Sequence, residues 1–364
     1  MSNQPSGRTI VQPCAPNPSE GIDIDTDFDT NSISATVGGS SFGTSISSST
    51  LEYRYGYLPP STLTSLAAQT NHQSRRVENG RRYHGYHSGS YLLPNDEAEQ
   101  ERLDLHHHIF RLTLGGQLFR APITAHPERV LDFGTATGIW AIDFADEFQS
   151  TTVIGNDLSP IQPSWIPPNC KFYVDDVESE WVYPPEEAFD FIHGRGMGGS
   201  IADWNKLYGR ILDNLKPGGW IEMQEYEAWV HSDDDPTLQK CPNTLRWQTL
   251  ADEASTKFGK RLNSASEQKG NLIKAGFKNV EDDIYKVPMG TWPKDPKLKE
   301  IGAFQMEHMC SCIESFTFAL FTRILGWDLK ETQLLCDAVR KEFRNPKNHL
   351  YTVFHFVYGQ RASN

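Results

Sequence analysis

A short apolar strand that runs into a turn of small residues and then into a helix is the feature that most restricts the fold. It lies at residues 130–140, and Gly134, Ala136 and Gly138 form the turn. Small residues let the backbone approach a ligand closely, and the N-terminus of the following helix offers free N–H groups. The segment therefore predicts an α/β fold with a ligand site at the carboxyl ends of the strands.

Strands and helices continue to alternate after this segment. Short apolar strands are predicted at 130–133, 151–156, 171–174, 189–193, 220–226 and 280–287, with helices at 139–148, 203–215, 245–258 and 266–275. Such alternation predicts a Rossmann-like, doubly wound and mostly parallel sheet. Residues 288–348 break the pattern with helical stretches at 298–321 and 330–343, and a last strand is predicted at 351–358.

The predicted organisation has five parts. Residues 1–50 are rich in Ser, Thr, Gly and Asp, which predicts a disordered tail that folding does not need. Residues 51–128 form an N-terminal arm and helix that cover the ligand site; the arm is aromatic and basic around 79–87 without a helix or strand pattern, and the helix is predicted at 96–114. The ligand-binding domain spans 129–287, a helical lid insertion spans 288–348, and 349–364 complete the sheet.

The composition of the turn indicates which ligand it holds. A dinucleotide fingerprint reads G-x-G-x-x-G, whereas here the spacing is Gly134-x-Ala136-x-Gly138. Asp132 lies just before the turn, where a carboxylate repels a pyrophosphate but suits an ammonium group. The turn is therefore not a dinucleotide site.

Acidic residues also end the next two predicted strands. Asp157 follows the second strand, where a carboxylate accepts hydrogen bonds from both ribose hydroxyls. Asp175 and Asp176 follow the third, within reach of an adenine amine. Each carboxylate alone is also explained as a helix cap. Together with Asp132 they predict a site for a nucleoside that carries an amine.

Several segments resemble a known family. They are 130–140, 154–163 (IGNDLSPIQP), 189–193, 215–225 (LKPGGWIEMQE), the arm at 79–83 and the stretch 91–104. They are similar to class I S-adenosylmethionine (SAM) methyltransferases and, more narrowly, to the fungal LaeA-like methyltransferases. The similarity runs from about residue 79 to residue 361.

The resemblance implies a seven-stranded sheet whose last strand is antiparallel. It implies SAM as the cofactor, in contact with Asp132, Gly134, Gly138 and Asp157. The family usually has a third glycine where this chain has Ala136, and a methyl group there is expected to crowd the cofactor or to require a backbone adjustment. We also expect the arm, through Tyr83, to close over SAM.

The family implies two kinds of function. The first is methylation of a small-molecule acceptor, at oxygen, in fungal secondary metabolism. The aromatic and Met content of 288–325 favours it, since those side chains either line an apolar acceptor pocket or pack the lid; they are Trp292, Phe304, Met306, Met309 and Phe316. The alternative is a regulatory methyltransferase that acts with velvet-domain proteins on secondary metabolism and development.

Methyl transfer from SAM needs a base only when the acceptor must lose a proton. His193, which follows the fourth predicted strand, is the first candidate, and a structural histidine is the alternative reading. Glu225 and His231, which follow the fifth predicted strand, are the next candidates for the base. Arg195 either orients an acidic acceptor or pairs with a carboxylate.

The composition of the chain limits the classes of function and the cellular location that we expect. The net charge of −13 disfavours direct nucleic-acid binding. No apolar run is long enough for a membrane span, and no secretory pattern begins the chain, so we expect an intracellular protein of the cytoplasm or the nucleus. The six cysteines and the His106-His107-His108 run lack the spacing of a metal site, so no metal is predicted.

Overall fold

The computed structural model describes residues 15–17, 19–26, 76–83 and 91–363. A seven-stranded sheet forms its centre, and helices cover both faces of the sheet. The first two strands, β1 (Arg76–Glu78) and β2 (Arg81–Tyr83), form a separate hairpin. The strands of the large sheet are β3 (Arg129–Phe133), β4 (Thr152–Asp157), β5 (Cys170–Val174), β6 (Phe189–Arg195), β7 (Leu215–His231), β8 (Lys278–Pro288) and β9 (Tyr351–Gln360).

The strand order is β5-β4-β3-β6-β7-β9-β8. Strands β3 to β7 pair in parallel, whereas β9 lies between β7 and β8 and is antiparallel to both. The predicted class I methyltransferase fold is therefore confirmed, with its antiparallel last strand.

Seven α-helices surround this sheet in the described part of the chain. They are α1 (Glu97–Thr113), α2 (Ile139–Glu147), α3 (Trp204–Asn214), α4 (Pro242–Phe258), α5 (Gln268–Ala275), α6 (Pro296–Ser315) and α7 (Leu329–Phe343). Asp96 caps α1 by accepting a hydrogen bond from the Glu99 amide, as its position before the apolar spacing predicts. Most of the boundaries agree with the predicted elements to within three residues.

Two apolar clusters hold the sheet between its helices. On one face, Leu131 and Phe133 of β3 pack with Leu207 and Ile211 of α3. On the other face, Val130 packs with a group from α2 and the segment before β3. Because alternate residues of a strand point to opposite faces, β3 is buried on both sides. This burial holds rigid the strand end that carries Asp132.

The arm contains strands that the sequence analysis did not predict. Residues 76–78 and 81–83 pair antiparallel across Asn79 and Gly80, whose φ angles are 53° and 79°. Positive φ at both central residues is the signature of a two-residue hairpin turn, which Asn-Gly favours. The strands are only three residues long, too short for an alternating pattern to stand out, but the Asn-Gly pair itself was a readable signal.

Part of the predicted tail packs on the body of the protein. Ala15 is buried in an apolar cluster, and the carbonyl of Pro16 accepts a hydrogen bond from the Lys286 amide. Further on, the Asp25 amide donates to the carbonyl of Trp292, and the Asp25 carboxylate pairs with Lys299. The expectation of a disordered tail is therefore wrong for residues 15–17 and 19–26; the rest of residues 1–50 lies outside the described residues.

The lid insertion differs from its prediction at one boundary. The helix predicted at 298–321 ends at Ser315, and a π-helical turn follows at Leu320–Ile324. Arg323 in this turn pairs with Glu78 and lies over the ring of Tyr83, with its guanidinium carbon 4.6 Å from the ring centre. The turn therefore links the lid to the hairpin of the arm.

A buried histidine beside two carboxylates gives the sheet a pH-dependent stability. His355 of β9 places Nδ1 3.0 Å from the Asp282 carboxylate and Nε2 3.5 Å from that of Glu227. Burial alone would lower the pKa of His355, but these carboxylates outweigh it and raise the pKa to about 9. The imidazolium is thus favoured in the folded state over the unfolded chain, in which a histidine pKa is about 6.5.

This raised pKa predicts a loss of stability in alkaline solution. The stabilisation is complete below about pH 6.5 and is lost as the pH rises through about 9, since the folded state then gives up its extra proton. We expect the free energy of unfolding to fall by about 1–2 kcal/mol across this interval. Urea unfolding of the wild type and of His355→Gln at three pH values measures this term, and equal pH slopes for both proteins would contradict it.

Candidate functional site

A cleft opens at the carboxyl edge of the parallel strands. The turn between β3 and α2 forms one wall, and α1 forms the opposite wall. Its other lining residues come from the arm before α1, the ends of β6 and β7, the loop after α4 and the lid; among them are Tyr91, Leu93, Arg195, Tyr226, Leu262 and Phe316. The site lies where parallel α/β sheets bind their ligands.

The turn between β3 and α2 has the backbone geometry that its small residues allow. Gly134, Ala136 and Gly138 all have positive φ, at 62°, 52° and 81°. A side-chain carbon on Gly138 would also lie 2.5 Å from the ring of Phe172. Glycine at 138 is therefore required both by the left-handed backbone and by the close approach of β5.

Asp132 is the acidic group in the cleft wall. Its side chain is 2% exposed and accepts hydrogen bonds from the Thr135 hydroxyl and from Nδ1 of His193, the latter at 2.7 Å. The strand register explains the second contact, because Asp132 and His193 are direct neighbours on β3 and β6. The carboxylate thus lies beside the glycine turn, as the sequence analysis expected.

Asp157 lies behind the turn and is not part of the cleft lining. Its carboxylate accepts hydrogen bonds from the amides of Ala136, at 3.0 Å, and Ser159, at 2.8 Å. Burial raises the pKa of Asp157 to about 6. In this arrangement the residue holds the turn in place, and its predicted contact with a ribose stays a prediction.

Ala136 occupies a backbone conformation that L-residues avoid, since its φ is 52°. Ala136→Gly is expected to increase the free energy of unfolding by about 0.5–1 kcal/mol, because relief of left-handed strain exceeds the added chain entropy. We expect SAM binding to tighten a few-fold as well. Denaturant titration and calorimetry measure the two effects; weaker binding in this variant would show that the turn is adapted to alanine.

Besides Asp157, four residues predicted to touch the cofactor lie outside the cleft lining: Gly138, Asp175, Asp176 and Tyr83. Asp175 and Asp176 follow β5, and an Asp176 oxygen accepts a hydrogen bond from the Glu178 amide as a local turn. Tyr83 is 3% exposed and packs in an apolar cluster with the lid. The expected closure of Tyr83 over SAM therefore needs correction: this side chain joins the arm to the lid, because its ring is covered by Arg323.

Of the five lid residues expected at the acceptor pocket, the structure brings Phe316 to the cleft. Trp292 and Met309 are buried elsewhere in the lid, at 5% and 1% exposure. Trp292 contacts the His349 ring and donates to the Leu350 carbonyl. Trp292 and Met309 therefore pack the interior of the lid and do not line the cleft.

Of the three candidate bases, His193 and Glu225 line the cleft, whereas His231 lies outside its lining and contacts Glu227 at 2.6 Å. His193 is completely buried in the cleft wall, and its ring stacks on Trp140 at 3.7 Å between centres. Burial lowers its pKa, so the imidazole is neutral at pH 7. Its Nε2 has no hydrogen-bond partner among the described residues. Glu225 instead accepts hydrogen bonds from the amides of Met197 and Gly198, and burial raises its pKa to about 7.

The sequence analysis placed this helix over the ligand site but did not identify the residues of α1 that line it. This helix places Arg102, His106 and His107 in the cleft lining, and its Asp104 accepts a hydrogen bond from the Thr137 hydroxyl of the turn at 2.6 Å. Burial raises the pKa of Asp104 to about 6. The polar residues on this helix were the available sequence signal for its role in the site. Only the tertiary packing shows that they face the glycine turn.

The histidines of α1 and α6 pack against each other. His106 stacks on His308 at 4.0 Å between ring centres, and Nε2 of His308 lies 3.3 Å from the Cys312 sulfur. Burial lowers the pKa of both histidines well below the usual value. In the described ranges, no group of three or more His, Cys, Asp or Glu has the arrangement of a metal site.

Comparison with known proteins identifies the relatives of this chain. Residues 105–282 match a family described as a methyltransferase domain. The methyltransferase pytC of Aspergillus terreus is 42% identical over 298 residues, which cover 82% of this chain and 90% of the relative. The secondary metabolism regulator LAE1 of Cochliobolus heterostrophus is 38% identical, over 79% of this chain and 95% of the relative.

Among solved structures, the chain is similar to the phosphoethanolamine N-methyltransferase 2 of Haemonchus contortus in complex with S-adenosyl-L-methionine. The TM-score is 0.40 at 19% identity, over 72% of this chain and 52% of that one. Within the described residues, no helix is both long and apolar enough to span a membrane.

The acidic strand end, the positive-φ turn and the cleft at the carboxyl edge are the parts a SAM site requires, and the relatives match this chain over four fifths of its length. The chain belongs to the LaeA-like family of fungal methyltransferases and is a SAM-dependent methyltransferase.

Proposed function

We propose that this protein transfers the methyl group of SAM to an oxygen atom of a small, largely apolar acceptor in fungal secondary metabolism. The observation that carries this proposal is the cleft at the carboxyl edge of the sheet, whose lining extends from the glycine turn to apolar side chains of the arm and the lid. Beyond the glycine turn, one part of its wall is aromatic and apolar, from Leu93, Tyr226, Leu262 and Phe316, and lies beside the polar side chains of α1 and β6. The apolar part suits a hydrophobic acceptor.

SAM binds along the turn in this proposal. Asp132 receives the ammonium group, and the backbone at Gly134 and Ala136 lies against the rest of the amino-acid portion. Asp157 and Gly138 hold the shape of the turn. SAM supplies an electrophilic methyl group on a sulfonium, so the protein's own task is to align the acceptor and exclude water.

His193 is the base that we propose, in preference to Glu225. Its Nδ1 is held by Asp132, which leaves the lone pair on Nε2 for the acceptor hydroxyl proton. Glu225 is engaged by two backbone amides. We propose that it shapes the loop after β6.

The alternative is a regulatory methyltransferase that binds velvet-domain proteins, in the nucleus as well as the cytoplasm. The similarity to LAE1, a protein named as a secondary metabolism regulator, supports it. The similarity to pytC, named as a methyltransferase, supports the small-molecule function.

A deletion strain of the source fungus distinguishes the two. Its metabolite profile is compared with that of the parent, and the purified protein is then incubated with labelled SAM and the extract of the deletion strain. Loss of one methylated compound, with its unmethylated form labelled in vitro, supports the small-molecule function. Broad loss of many metabolites, with no labelled small molecule, overturns it in favour of the regulator.

A further inference from the structure

Arg195, at the end of β6, is a cation in the cleft wall whose direct partners are all neutral. Its Nε and Nη2 donate to Oε1 of Gln224 at 2.9 and 2.6 Å, and its Nη1 lies 2.8 Å from Nδ1 of His107. Its guanidinium carbon lies 4.7 Å from the centre of the Phe110 ring. Among the described residues, no carboxylate lies within ion-pair distance of Arg195.

The other arginine of the cleft lining shows the usual arrangement. Arg102 donates through Nε and Nη2 to one oxygen of Glu99, at 3.1 and 2.6 Å. Its charge is therefore matched within the protein. For Arg195, burial lowers the pKa to about 10. The carboxylates of Asp132 and Glu222, which lie beyond contact distance, oppose this effect and raise the pKa in part. A cation that loses water without a contacting anion is destabilising unless a ligand supplies that anion.

A chain of hydrogen bonds holds the guanidinium of Arg195 in place. Arginine only donates, so Nδ1 of His107 accepts, and Nε2 of His107 donates to the Asp143 carboxylate at 3.1 Å. Asp143 also accepts from Arg111. Burial lowers the pKa of His107 to about 4, which keeps the ring neutral and able to accept.

This network leaves part of the guanidinium free for a ligand. A guanidinium has five N–H groups, and the contacts with Gln224 and His107 use three of them. The remaining donors belong to a side chain that lines the cleft. A planar guanidinium with free donors matches the geometry of a carboxylate.

We propose that Arg195 binds a carboxylate group of a ligand inside the cleft, positioned for this by His107 and Asp143. The inference rests on the proposed function, since it takes the cleft as the site of SAM and acceptor. The carboxylate has two candidate sources. One is the α-carboxylate of SAM, since Asp132 would hold the ammonium group of the same molecule nearby, and the other is a carboxylate of the acceptor.

Calorimetric titrations with paired ligands test the first source. SAM is compared with decarboxylated SAM, which retains the ammonium and the sulfonium. The wild type is expected to prefer SAM by about 10-fold to 100-fold, as a charge-assisted hydrogen bond provides. Arg195→Gln should abolish this preference, and Arg195→Lys should retain part of it. Arg129→Lys, at an arginine paired with Glu187 outside the cleft lining, should preserve the preference.

The second source is tested with benzoate as the probe, titrated into protein saturated with S-adenosylhomocysteine. If the acceptor supplies the carboxylate, the wild type binds benzoate and Arg195→Gln does not, while the preference for SAM is the same in both proteins. Either pattern supports a carboxylate site at Arg195. The inference is overturned if Arg195→Gln and Arg195→Lys change neither the preference for SAM nor the binding of benzoate.

Failure of the proposed function gives a different result. If the wild type binds neither SAM nor decarboxylated SAM, the assignment of the cleft as a SAM site is wrong, whatever Arg195 does. If both bind with equal affinity to the wild type and benzoate does not bind, the SAM site stands and the carboxylate site at Arg195 is wrong. Melting curves of each variant show whether the protein is folded in these titrations.

Discussion

Asp132→Ala is expected to weaken SAM binding by on the order of 100-fold, the largest effect of a single side chain in the cleft. Asp132 is 2% exposed, so its charge acts in a site that water screens poorly. The substitution removes the partner of the SAM ammonium and the acceptor of two hydrogen bonds, from Thr135 and His193. The turn and the proposed base thus lose their anchor together with the cofactor.

Calorimetry with SAM measures this loss, and two variants separate its causes. Asp132→Asn keeps the shape of the side chain but removes the charge, so it should account for most of the effect. Asp157→Ala, behind the turn, should cost about 1–2 kcal/mol of binding free energy, less than the about 2.7 kcal/mol of a 100-fold loss. Unchanged SAM affinity in Asp132→Ala, in a protein that melts like the wild type, would contradict the assignment of Asp132.

Gly138→Ala is expected to lower the free energy of unfolding by about 2–5 kcal/mol. About 1–2 kcal/mol comes from forcing an L-residue into the left-handed region, since φ of Gly138 is 81°. Overpacking adds about 1–3 kcal/mol, because the new methyl group would lie 2.5 Å from the Phe172 ring. The backbone strain and the overpacking thus act together at Gly138, the residue that caps the N-terminus of α2.

Gly209→Ala is the matched control, because Gly209 lies inside α3 and a side-chain carbon there meets no atom within 4 Å. This substitution should be neutral or stabilise the protein by up to about 1 kcal/mol, since alanine favours a helix. Urea unfolding of both variants gives the comparison. Equal free energies of unfolding for Gly138→Ala and the wild type would show that the turn adapts at no cost.

The order of the elements was predictable from the sequence because each pattern is local. Apolar runs of four to six residues ending at glycine or aspartate mark β3 and β4, and the spacing of apolar residues marks α3. The acidic strand end at Asp132 and the small residues after it likewise stand in one short segment. The antiparallel direction of β9 came from family resemblance, and its place between β7 and β8 was not predicted, since pairing partners are not local.

The other half of the site depends on contacts across the chain. His107 and Arg195 are 88 positions apart and meet at 2.8 Å because α1 crosses the ends of β6 and β7. Glu225 reads as a possible base in sequence, yet two amides of the loop after β6 occupy its oxygens. The packing of Ala15 in a polar segment also has no local signal, since it is decided by the surface that the segment meets.

A crystal structure of the protein with S-adenosylhomocysteine tests the central claim most directly. The account predicts the amino-acid end of the ligand in the cleft, with its ammonium within hydrogen-bond distance of Asp132 and its backbone contacts at Gly134 and Ala136. Electron density for the ligand at another place on the protein, or an ammonium group away from Asp132 with the cleft empty, would contradict it.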